Sequence, residues 1–261
     1  MLSKILKSAI PAAILAMPVV SLADDAPAAP APPPPPLTAT AQVGYVASHG
    51  NTVASTANLK FDGVYNADAW KHELTLAGLY GKSTGIVSAE RLDAAWQSNY
   101  AFTDRLYAFG ALHYDDDKFS GFQYQETAAV GVGYSIFKQS DATLDAQAGV
   151  GERRLRPELI GKDAAGDVIS RTPLEAESGA VATATLKGSY AFNASTKLID
   201  TLHLETGKGD TLLQNDIGVS VTMSSALSLV AAYEIKHNSS PPAGLGKSDS
   251  LITFNLAYQL K

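Results

Sequence analysis

Two short stretches of the chain carry the spacing of reactive motifs. Gly81-Lys82-Ser83-Thr84-Gly85 has the G-x-S-x-G pattern that exposes a serine nucleophile. That motif works at a sharp strand-to-helix turn, with an acid and a histidine assembled beside it. Here it falls in a loop between two expected strands, where Gly and Ser are ordinary residues. Gly244-Leu245-Gly246-Lys247-Ser248 has the end of a phosphate loop, but Pro241 stands where the first glycine is required and no helix is expected to follow. Asp115, Asp116 and Asp117, with Lys118, form an acidic run expected at the tip of an extracellular loop. Such oxygens could hold a divalent cation, and a solvated loop tip explains the same residues. The histidines at 49, 72, 113, 203 and 237 show no ligand spacing, though His113 and His203 alternate with apolar neighbours and could face an interior. The chain has no cysteine, which excludes disulfides, thiolate metal sites, a cysteine nucleophile and a lipoprotein anchor. No catalytic, cofactor-binding or metal-binding set is assigned on this basis, and no cofactor is expected.

Charges inside alternating segments are more informative. Glu73, Asp93, Asp145, Lys187, Glu205, Asp216, Glu234 and Lys236 all sit within expected spans. A Lys or Arg on a lipid-facing wall costs about 2–4 kcal/mol at the membrane midplane. The eight are therefore expected to point inward. They would line a polar pore or plug it with mutual salt bridges, and the residues alone leave both open.

The elements that would position them are strands. From Thr38 onward the apolar period is two rather than 3.6. Ile252, Phe254, Leu256, Tyr258 and Leu260 share one face, opposite Thr253, Asn255, Ala257 and Gln259. Leu227, Leu229, Ala231, Tyr233 and Ile235 repeat the pattern. About twelve segments follow it, near 39–48, 53–65, 70–81, 89–101, 105–116, 122–136, 142–156, 175–191, 196–205, 211–222, 227–237 and 250–260. Many reach the roughly 9–11 residues that a tilted strand needs to cross a bilayer, whereas soluble strands average about 5–6. Short turns are expected at 66–68, 103–104, 138–141, 193–195 and 224–225. They alternate with longer connections at 82–88, 115–121, 157–174, 206–210 and 238–249. Tyr65, Trp70, Tyr100, Phe102, Tyr107, Tyr190 and Phe192 cluster beside the short turns, as an interfacial girdle would. The expected fold is all-β: a closed antiparallel up-and-down transmembrane β-barrel of about twelve strands. Closure pairs every backbone donor and acceptor, which an open sheet in lipid cannot do.

The N-terminus reads as an address. Lys4 and Lys7 precede an apolar run, Ala9 to Val20, and Ser21-Leu22-Ala23 supplies small residues at a cleavage site. Residues 1–23 are therefore expected to be a secretory signal peptide. Residues 24–37 are a Pro- and Ala-rich periplasmic linker, extended as polyproline, and a tether to the cell wall or a periplasmic partner could use it. Residues 38–261 form the barrel. The net charge of −6 includes both N-terminal lysines, so a chain cleaved after Ala23 is more acidic still, and nucleic acid is excluded as a partner. The expected partners are outer-membrane lipid and the machinery that assembles barrels.

The stretches Leu106–Gln125 and Tyr233–Asp249, with Gly50-Asn51-Thr52 and Ala89-Glu90-Arg91, resemble the salt-induced outer-membrane protein family of bacteria, also classified as a domain of unknown function. The resemblance spans roughly residues 40–261, and the stretch 157–174 departs from it most. It implies an outer-membrane barrel and a link to salt or osmotic stress, with no established enzyme activity or ligand. The functional expectation is a non-enzymatic barrel, either a narrow pore or an envelope component. The alternatives are a lipase-like outer-membrane enzyme and an adhesion or docking surface built on loop 157–174.

Overall fold

The computed structural model describes residues 36–48, 54–162, 168–207, 209–242 and 245–260. Among them there is no helix, and the chain runs through thirteen strands. The first six are β1 (Leu37–Ser48), β2 (Ala54–Ala67), β3 (Trp70–Ser83), β4 (Ile86–Ala101), β5 (Leu106–Asp117) and β6 (Phe122–Lys138). Then come β7 (Ala142–Lys162), β8 (Val168–Pro173), β9 (Glu177–Ala191) and β10 (Thr196–Gly207). The last three are β11 (Thr211–Thr222), β12 (Leu227–Asn238) and β13 (Ser248–Leu260).

Chain neighbours pair antiparallel, β8 and β9 excepted, and two further pairings complete the ring: β1 with β13 and β7 with β9. Among the described residues β8 pairs only with β7 and stands outside the ring. The result is a closed barrel of twelve strands, tilted as closure requires.

Alternation decides which face is which. Val130, Val150, Ile252 and Phe254 are more than 60% exposed and lie on the outer wall. The interior face carries Phe109, Ala129, Val181 and Ala257, all buried, together with buried Asn99, Gln147, Thr183 and Asn255. The apolar surface of the molecule is thus outside and its polar surface inside, the inverse of a water-soluble protein.

At one end the turns are tight and closed by their own side chains. The Asn193 side-chain oxygen accepts from the Ser195 and Thr196 amides, both at 2.9 Å. Thr103 Oγ1 accepts from the Leu106 amide at 2.9 Å, and Ser224 Oγ from the Leu227 amide at 3.2 Å. These are the local bonds that Asn, Thr and Ser offer a turning backbone. Above these turns, outside the ring, Trp70 stacks on His72 at 5.8 Å and His72 on Trp96 at 6.3 Å. Tyr107 does not belong to this belt. It faces inward against Gly133, where Gln147 Nε2 donates to its hydroxyl at 3.0 Å.

At the other end the connections differ from expectation. The loop placed at 82–88 is a two-residue turn, Thr84-Gly85, both with positive φ (50° and 86°). The loop at 115–121 shrinks to residues 118–121. The stretch 157–174 is largely a hairpin in which β7 runs on to Lys162 and β8 returns beside it. Leu37, placed at the end of the linker, is already a strand residue. The physical reason is that pairing outlasts alternation. Polar residues such as Lys82, Ser83 and Glu158 end the apolar pattern, while the backbone ladder continues through them. The expected signal peptide, linker residues 24–35 and residues 49–53 lie outside the described residues.

Candidate functional site

All eight charges singled out from the sequence fall on the inward parity of their strands. The ladder pairs Asp93 with Asp115, Asp145 with Lys187, and Asp216 with Glu234. What the ladder does not reveal is how they meet across the ring.

The upper tier lies near the end with the longer connections. Lys236 on β12 binds Asp115 on β5, the strand facing it across the ring. Arg91 on β4 reaches Glu234 on β12 at 2.6 Å, and also lies 3.4 Å from Asp93 and 3.5 Å from Asp115. His113 Nε2 is 2.8 Å from Asp93 Oδ2. Asp115 is only 4% exposed. Two atoms here are enclosed without a hydrogen bond, Asp115 Oδ1 and Arg91 Nε. Beside them, Arg153 on β7 binds Glu205 at 3.2 Å and also Asp210, while Thr127 Oγ1 donates to Glu205 at 3.3 Å.

The lower tier lies toward the tight turns. Lys187 on β9 meets Glu73 on β3 at 3.4 Å, again from wall to wall, and Lys71 binds the same Glu73 at 2.5 Å. Asp145 accepts from Ser135 Oγ at 2.5 Å. A lysine and an acidic side chain reach only part of the way across a circular ring of twelve strands, so these contacts require a flattened cross-section.

Above the upper tier is a cavity of about 320 Å³, lined among others by His113, Asp115, Glu205 and Lys236. The β12–β13 connection reaches over its mouth, because Pro242 and Leu245 pack at Gly121 in the β5–β6 turn. Gly121 has φ +79°, and a side chain there would collide with both.

The acidic run is not a loop tip. Asp115, Asp116 and Asp117 are the last residues of β5, and alternation separates them. Asp115 and Asp117 take the inward parity, and Asp116 takes the outward one, paired with Lys118 at 2.7 Å. Ser83 ends a strand at a hairpin turn, and among the described residues it hydrogen-bonds no histidine or acid. Arg91, Arg153 and the partnership of His113 were not anticipated. Their signal was parity: Arg91 lies two residues before Asp93, His113 lies two residues before Asp115, and the β4–β5 register sets Asp115 opposite Asp93.

Fold and interior together define the class: a transmembrane-type up-and-down barrel whose lumen is crossed by ion pairs. Within that class the chain belongs to the family described as protein of unknown function DUF481, which it matches over residues 41–260. It is 25% identical over 224 residues to the uncharacterized protein YdiY of Escherichia coli (strain K12), covering 83% of this chain and 81% of that one. Among solved structures it is similar to the NanC porin, with 12% identity, a TM-score of 0.44, and coverage of 85% of this chain and 97% of the porin. It is also similar to the COG4313 outer membrane channel from Pseudomonas putida F1, with 9% identity, a TM-score of 0.47, and coverage of 87% and 96%.

Proposed function

We propose that this chain is a non-enzymatic outer-membrane barrel that serves as a narrow passive channel, its passage set by the cross-wall ion pairs. The observation that carries the reading is the contact between Lys236 and Asp115 on facing strands, seconded by Arg91 with Glu234. An outer wall of exposed Val, Ile and Phe supports the membrane location, since only a closed barrel satisfies a strand backbone in lipid. In the paired state the lumen is blocked to all but the smallest solutes. Separating the upper tier would open it.

The link to salt stress that the resemblance implies has a physical route through the lower tier. The Lys187 side chain is 38% exposed and Glu73 is 24% exposed, so added salt weakens their attraction. The buried upper tier responds far less.

The test is single-channel conductance of refolded protein in planar bilayers. Small or brief openings are expected from the wild type, and larger, steadier steps from Asp115→Ala/Lys236→Ala. If every variant migrates as a folded, heat-modifiable barrel and none conducts, the channel reading is wrong and the chain is an envelope component.

A further inference from the structure

We propose that Asp93, His113 and Asp115 form a binding site for one divalent transition-metal cation, which competes with Lys236 for Asp115. One ligand atom from each of the three lies within 4.8 Å of the others. They sit on paired strands rather than a mobile loop: Asp93 is directly opposite Asp115, and His113 is two residues before Asp115 on the same face. A neutral imidazole with two carboxylates is a mixed nitrogen and oxygen set. It suits zinc or manganese better than calcium or magnesium, which favour oxygen alone.

A second observation points to a cation. Asp115 is almost completely buried, yet its Oδ1 takes no hydrogen bond. An enclosed carboxylate oxygen without a donor is unfavourable unless a cation completes it. Charge agrees. Three carboxylates, Asp93, Asp115 and Glu234, gather here around Arg91, Lys236 and His113, so a cation that displaces the Lys236 ammonium meets a negative site. His113 and Asp115 both line the cavity, so an ion inside it meets both side chains.

In the ion-paired arrangement Lys236 holds Asp115. For a cation to enter, the Lys236 ammonium must leave Asp115, and His113 must exchange its bond to Asp93 for coordination through Nε2, with the ring proton on Nδ1. Lys236 is then free to turn to Asp249, its opposite on β13. On the channel reading, the metal unlocks the upper tier. Binding itself does not depend on that reading.

The experiment is a calorimetric titration of Zn²⁺ into tag-free refolded protein, with heat-modifiable migration verifying the fold of each variant. One Zn²⁺ per chain is expected. His113→Ala and Asp93→Asn should each weaken binding at least about tenfold, His203→Ala should not, and Lys236→Ala should tighten it by removing the competitor. Wild type that fails to bind, or binds no better than His113→Ala, overturns the site. An affinity unchanged by Lys236→Ala overturns the competition. Zinc binding as described in a protein that never conducts would leave the site standing and remove the channel. Conducting variants without zinc binding would do the reverse.

Discussion

Asp115 is the residue on which most of the interior depends. It accepts from Lys236, stands beside Arg91, and is closed off from water. Removing one partner of a buried pair leaves the other charge stranded, at a cost of about 3–5 kcal/mol. Asp115→Ala should therefore lower stability in urea titrations by about 3 kcal/mol. Adding Lys236→Ala should recover part of that loss, because the stranded ammonium is gone. Additive single-variant effects would mean that the two do not interact in the folded barrel. A second residue-scale constraint is the absence of side chains at Gly131. A Cβ there would lie 2.6 Å from the Gly149 Cα and 2.7 Å from the Phe109 ring. Backbone on one side and a buried ring on the other leave nothing cheap to move. Gly131→Val should cost at least about 1–3 kcal/mol by the same titration.

Among the elements, the β3–β4 turn carries a local mismatch. Thr84 holds φ 50°, a left-handed conformation that a β-branched residue resists, and Gly85 follows at 86°. Two positive φ values suit Asn-Gly best. Thr84→Asn should raise the unfolding midpoint, by a gain of about 0.5–1 kcal/mol. The β7–β8 hairpin tests independence instead. Among the described residues β8 pairs in the sheet only with β7, and its Arg171 donates to the Lys118 carbonyl and lies 3.7 Å from Glu158. Deleting residues 159–172 should leave heat-modifiable migration intact. Loss of the folded band would show that the hairpin supports the ring. These elements also show what could be read in advance. Period-two alternation located all twelve wall segments within a few residues, because the outward and inward positions of a membrane barrel differ so sharply. It failed at strand ends such as Lys82, Ser83 and Glu158, where the apolar pattern stops while pairing goes on. The inward parity of Glu73 or Glu234 was legible for the same reason. Which of them would touch was not, because cross-lumen contact depends on the shape of the ring rather than on any local pattern. Asp93 beside Asp115 and His113 is the exception, since it follows from the register of a single hairpin.

At the scale of the molecule, an apolar outside and a charged inside make the barrel two surfaces back to back. Salt should therefore act on it unevenly. Between about 0.1 M and 1 M, screening shortens from roughly 10 Å to 3 Å, and conductance scaled to the bulk solution should rise more in wild type than in Lys187→Ala. Equal scaling would show that the Glu73–Lys187 tier does not limit passage. The seam between β1 and β13 carries a different consequence. Thr40 Oγ1 donates to Gln259 across 219 positions of sequence, so the ring joins one end of the chain to the other. Contacts of such separation form late and make folding slow. Until they form, β1 and β13 are open edges that can pair with any other strand. The barrel thus cannot mature from β1 onward strand by strand; it must be held unclosed, edges guarded, until β13 arrives.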